Sequence, residues 1–152
     1  MPSEEAIHDR IDQAIEPFSS YKKALSDLSD LPDGYRYVFA TNYVYACLLN
    51  GGIYSHHAGS AWCLTPDAIE AARAVGQTKV AQFLLEVVYY YHRQGRSKLK
   101  RRMDDSAFAD IPADWDRSLA DLEGELFSSE YEAEQTRLWG LLTETESLYL
   151  PS

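Results

Sequence analysis

Two adjacent histidines, His56-His57, lie shortly before Cys63 and Ser60 falls between them, and no other group in the chain is better suited to chemistry. Imidazole and thiolate are zinc ligands, and a Ser60/His57 or Cys63/His56 pair has the makings of an activated nucleophile. The spacing argues against both. Neighbouring side chains on a short helix point about 100° apart, a poor geometry for joint ligation. No Cys-x-x-Cys accompanies them, and a nucleophile pair also needs a third group to orient the base. No pair of carboxylates stands out for hydrolysis either. The expectation is therefore a protein with no catalytic residue, no metal and no cofactor. The alternative is a small ligand-binding or enzymatic domain built on His56, His57 and the nearby tyrosines. Cys47 and Cys63 both sit among apolar residues and are expected to be buried free thiols.

Charge is the stronger signal. The net charge is −10, and it is unevenly placed. From Asp104 onward there are thirteen carboxylates against Arg117 and Arg137, a net of −11; residues 1–103 carry +1. Duplex DNA presents one negative charge per about 1.7 Å of axis. Carboxylates three or four residues apart on a helix stand about 5–6 Å from one another. Two acidic helices and their connector can thus approximate a track of phosphates. Asp114, Asp121, Glu125, Glu130, Glu134 and Glu144 are the predicted binding carboxylates, and the matching partner is a basic nucleic-acid-binding protein. The basic run Arg93, Arg96, Lys98, Lys100, Arg101 and Arg102 follows a row of tyrosines and invites a nucleic-acid reading. A solvated connector, or one folded back onto the acidic third, is the simpler expectation, so no direct nucleic-acid partner is expected.

The elements that must carry these groups are helices. One compact all-α domain of several helices is expected over residues 1–152: N-terminal helices in 1–34, a core in 35–92, a connector in 93–110 and acidic helices in 111–152. Ser3 reads as the cap of a helix bearing Ile7, Ile11, Ala14, Ile15 and Phe18, with Pro17 kinking it or starting another. Leu31-Pro32-Asp33-Gly34 reads as a turn. Tyr35–Leu49 has the tyrosines and valines of a strand, but Val38, Asn42, Tyr45, Ala46 and Leu49 favour a helix. Asn50-Gly51-Gly52 looks superficially like a ligand loop. It lacks a flanking strand and a lysine, so it reads as a helix stop, as does Gly76. Thr65 and Thr78 read as N-caps, with Pro66 at the first helical position. Val80, Phe83, Leu84, Val87 and Tyr91 form one core face. Trp115, Leu119, Leu122 and Leu126 are expected on a helix beginning near Ile111. No apolar run reaches membrane length, because Glu86 interrupts the longest candidate. The opening MPSEEAIHDR lacks the order of a signal peptide, and a cytoplasmic protein with no membrane partner is expected.

At Asn50-Gly51-Gly52-Ile53 the chain begins to resemble the DNA-mimic protein C-terminal domain family, small helical bacterial proteins long catalogued as a domain of unknown function. That family shows Asn-Gly-Gly-Phe after a helix, then a short aromatic helix, then a Pro- or Ala-started helix ending in Val/Ile-Gly. Pro66, Ala68, Ile69, Ala71, Ala72, Val75 and Gly76 continue the match, and the Leu-punctuated acidic stretch near Leu122 is similar to the family's ending. Ser55 and Gly59 stand where the family usually has Gln and Asn. The resemblance implies an acidic homodimer that occupies the DNA-binding face of a transcription regulator, and together with the excess of tyrosines, which are enriched in interfaces, it gives the expectation of a homodimer or higher homo-oligomer. The expected function is a non-enzymatic, DNA-mimic-like blocker of a regulator or defence effector. An immunity protein neutralising a basic toxin is the other binding-protein reading.

Overall fold

The computed structural model describes residues 1–99 and 102–151. They form an all-α domain of seven α-helices: α1 (Glu4–Ala14), α2 (Tyr21–Leu28), α3 (Asp33–Ala58), α4 (Thr65–Ala74), α5 (Thr78–His92), α6 (Leu119–Leu126) and α7 (Ser129–Glu144). Short 3₁₀ turns at Ser60–Leu64, Asp105–Phe108 and Glu146–Tyr149 complete it. No strand occurs among the described residues.

The long helix α3 is the spine, touching α1, α2, α4, α6 and α7. Tyr37 to Thr41 are all buried, and beyond them the buried positions narrow to Val44, Tyr45 and Leu48, the repeat of a helix covered along one side. That settles Tyr35–Leu49 as helix; of the positions that favoured it, Val38 and Tyr45 are buried, and Asn42, Ala46 and Leu49 are exposed. Gly52 breaks the spine at φ +76, ψ −175, a region that only glycine enters cheaply, so the chain bends there and resumes as helix to Ala58. Gly76 ends α4 at φ +75, where Gln77 N–H donates to the Ala72 carbonyl and Gly76 N–H to that of Arg73. This is the paired hydrogen-bond pattern of a glycine-stopped helix.

Several local expectations are corrected. Ser3 does cap α1, accepting from Ala6 N–H. Thr65, by contrast, is already helical, and its hydroxyl donates to the Trp62 carbonyl instead of capping α4. Thr78 opens α5 without any side-chain cap. Phe18 leaves the α1 stripe: the helix ends at Ala14, before Pro17, and Phe18 stands fully exposed at φ +62. Asp33 and Gly34 belong to the first turn of α3, not to a turn before it. Gly34 is needed for packing there, since a Cβ would lie 2.6 Å from the Tyr149 ring. Trp115 lies ahead of α6, not on it. The 93–110 connector is pinned by Leu99, Met103 and Phe108, all buried in the core.

Candidate protein-binding face

A polar knot helps to attach the acidic third to the core. Glu86 sits on the buried side of α5, only 8% exposed. Its carboxylate accepts from the Trp115 indole N–H and, at 3.3 Å, from Arg117. Arg117 also reaches Glu125 at 3.4 Å. Burial works against the Arg117 charge, but Glu125 and Glu86 outweigh it and raise its pKa above the ordinary arginine value. Ser118 then caps α6 reciprocally: its hydroxyl accepts from Asp121 N–H while the Asp121 carboxylate accepts from Ser118 N–H. That capping box fixes the direction in which α6 leaves the loop. The same backbone bond holds the Asp121 carboxyl below its usual pKa.

The six predicted carboxylates therefore divide. Asp114, Asp121, Glu130 and Glu144 are exposed. Glu125 is half-buried and committed to Arg117. Glu134 is half-buried too, with one oxygen shielded from solvent and unbonded, so it does not face outward as expected. Asp114 precedes α6, Asp121 lies on α6, and Glu130 and Glu144 lie on α7, which packs against α6. Glu130 meets Lys79 at 3.7 Å, an exposed pair of little energetic weight. Asp110, Asp114, Glu132 and Glu144 are exposed and reach no cation among the described residues.

A contribution from α1 was missed. The Trp139 indole donates to Glu4 at 3.3 Å and stacks on His8, joining the opening turn of α1 to α7. Exposed Glu4 and Glu5 thus adjoin the acidic surface, with Asp9 one turn further along. The charge count hid them, because the bases of residues 93–102 cancel them in the first 103 residues. The Glu5, Asp9, Asp12 spacing on a capped helix was the available signal.

The basic run is partly consumed by the fold. Arg93 donates to the Trp115 carbonyl at 3.0 Å, lies over the Trp115 ring and approaches Asp116. Arg102 is bound to Asp67, which is 1% exposed. Lys100 and Arg101 lie outside the described residues. Arg96 and Lys98 are exposed.

The histidines are packed in an aromatic cluster. His57 stacks flat on Tyr91 with centroids 3.6 Å apart and donates to the Arg96 carbonyl. His56 is fully buried against Trp62 and contacts the Thr65 hydroxyl at 2.9 Å. Thr65 gives its own proton to Trp62, so His56 must donate from Nε2. Its Nδ1 is left buried and unpartnered. Burial, then repulsion from His57, pushes the His56 pKa down to about 4, and burial also lowers that of His57. Cys63 is half-buried, donates to the Ser60 carbonyl, and has its thiol pKa raised by burial. Among the described residues no three histidine, cysteine or carboxylate side chains gather as metal ligands would. No helix among them is long and apolar enough to cross a membrane.

One further surface bears on partners. From Tyr37 to Pro66 the sequence has no Asp, Glu, Lys or Arg. Asn42, Tyr43, Ala46, Leu49, Asn50 and Tyr54 of that stretch are exposed along α3. A groove of about 450 Å³ runs beside them, between α3 and Gln135, Thr136 and Trp139 of α7.

No curated protein and no solved structure matches the chain. The family model described as DMP19-like protein matches residues 29–144, from just after α2 to the last residue of α7, and so takes in the spine, its glycine break and both acidic helices. On that match the chain belongs to the DMP19-like protein family.

Proposed function

We propose that this chain is a non-enzymatic acidic binding protein that occupies the basic face of a nucleic-acid-binding protein and so keeps that partner off DNA. The observation that carries the reading is the set of exposed, uncompensated carboxylates at Asp110, Asp114, Glu132 and Glu144, joined by Glu4 and Glu5 of α1. Glu86 and Arg117 hold the loop that bears Asp114 against a rigid helix, so that charge is displayed from a fixed frame. A preorganised acidic surface steers a basic partner quickly and selects it by charge complementarity.

Self-association is part of the proposal. Two copies of a chain with a net charge of −10 repel each other except where the surface is neutral, and the outer side of α3 is neutral. Light scattering at physiological salt should then give a dimer or larger mass, and Leu49→Glu should give the monomer.

The test of function is affinity capture from the native cell at low salt, after nuclease digestion. The expected captive is a basic DNA-binding protein whose DNA this chain displaces. If no captured protein releases its DNA on addition of the chain, the proposal fails.

A further inference from the structure

Apart from the acidic surface, the chain holds a cavity of the opposite sign. Between α2 and Lys98, Leu99 and Arg102 of the connector lies a hollow of about 530 Å³, also lined by Lys22, Leu25 and Cys63. A second of about 490 Å³ lies against Tyr21, Gly59, Ser60 and Trp62, and shares Lys22, Cys63, Lys98 and Leu99 with the first. The shared lining makes them two parts of one groove, in the size range of small-molecule sites.

Its chemistry is mixed in a specific way. The floor is apolar: Leu99 is 5% exposed and Trp62 2%, with Leu25 and Tyr21 packed against the core. The rim is cationic. Lys22 and Lys98 are exposed and reach no carboxylate among the described residues. Arg102 is turned to Asp67 and to the Cys63 carbonyl, which fixes one wall. In a protein of net charge −10, two lysines without acidic partners over an apolar floor form a local positive potential beside a low-dielectric surface, the combination that captures an anion with an apolar body.

We propose that this groove binds a small organic anion with an apolar or aromatic body, its anionic head between Lys22 and Lys98 and its body over Leu99 and Trp62. The site is separate from the acidic surface, and neither proposal depends on the other.

The test uses the full-length protein and anilinonaphthalene sulfonate, an aromatic sulfonate whose fluorescence rises in apolar sites. Saturable binding is expected, displaced by octanoate and not by inorganic phosphate at matched ionic strength. The K22E/K98E variant should bind about tenfold more weakly, the sum of two exposed charge contacts. Both lysines are exposed, so its helical spectrum and melting temperature should match the parent's. Cys63 supplies a second readout. In a Cys47→Ser background, saturating dye should slow iodoacetamide alkylation of Cys63 several-fold. The proposal is overturned by absence of saturable binding, by equal affinity in K22E/K98E, by phosphate competing as well as octanoate, or by Cys63 alkylation indifferent to the dye.

Discussion

Arg36 Nη1 lies 2.6 Å from Asp67 Oδ1, and Asp67 is almost wholly buried. The pair ties the first turn of α3 to the first turn of α4, and Arg102 closes it from the connector at 2.9 Å. Burial disfavours the Arg36 charge, but hydrogen bonds to Glu70 and Asp67 more than compensate and raise its pKa. Three segments distant in sequence thus share one carboxylate. Removing that carboxylate while keeping both guanidiniums is the damaging change, since breaking a buried ion pair from one side costs about 3–5 kcal/mol. Asp67→Ala should lower stability toward the lower end of that range, because both arginines retain some access to water. Arg102→Gln should cost less, since Arg36 still neutralises Asp67. Urea unfolding midpoints of the two variants check the order.

The α4 turn carrying Asp67 was legible from Thr65-Pro66-Asp67, and so was the glycine stop at Gly76, because these depend on local backbone preferences; Gly52, read as a stop, bends α3 without ending it. The partners of Asp67 were not legible, because Arg36 and Arg102 reach it through tertiary contact over 31 and 35 residues. The same limit explains Thr65, whose hydroxyl donates to a carbonyl of the Ser60–Leu64 turn and accepts from no amide of α4. It also explains Glu125 and Glu134: charge counting finds acids, but only packing tells which of them face water.

Tyr45 on α3 and Tyr131 on α7 meet hydroxyl to hydroxyl in the core. Burial raises the pKa of both, so both stay protonated at any physiological pH. Tyr131→Phe leaves the Tyr45 hydroxyl buried without a partner, and the expected loss is about 1–3 kcal/mol. Replacing both with Phe removes the orphan as well. The double variant should be closer to the parent than the sum of the singles, and a double-mutant cycle by urea unfolding reads the difference.

His56 gives the fold a sensitivity to acid. Its folded pKa of about 4 lies below the ordinary 6.5, so the unfolded chain binds the proton more readily. The stability that neutral His56 contributes is fully present above pH 6.5. It is lost as the pH falls from there towards 4, in total about 3 kcal/mol. His57 adds to the loss in the same direction. Unfolding free energies measured at pH 7 and pH 5 should fall more in the parent than in His56→Gln. The variant starts lower, having changed the contact with Thr65.

On the proposed reading the acidic surface carries the function, and the structure says which side chains to change. Asp114, Glu130, Glu132 and Glu144 are exposed and hold nothing in place beyond the weak Glu130–Lys79 pair. Glu125 should be spared because it binds Arg117, and Arg102 should be left out of any basic-run variant because it binds Asp67. The quadruple variant D114N/E130Q/E132Q/E144Q should keep the helical spectrum, each change costing no more than about 0.5 kcal/mol. The direct measurement is displacement of duplex DNA from the captured partner, followed by fluorescence anisotropy at several salt concentrations. The parent should displace the DNA, less effectively as salt rises, and the quadruple variant should fail at the concentrations where the parent succeeds. Displacement by the variant as complete as by the parent would contradict the account and leave those carboxylates as solvated surface.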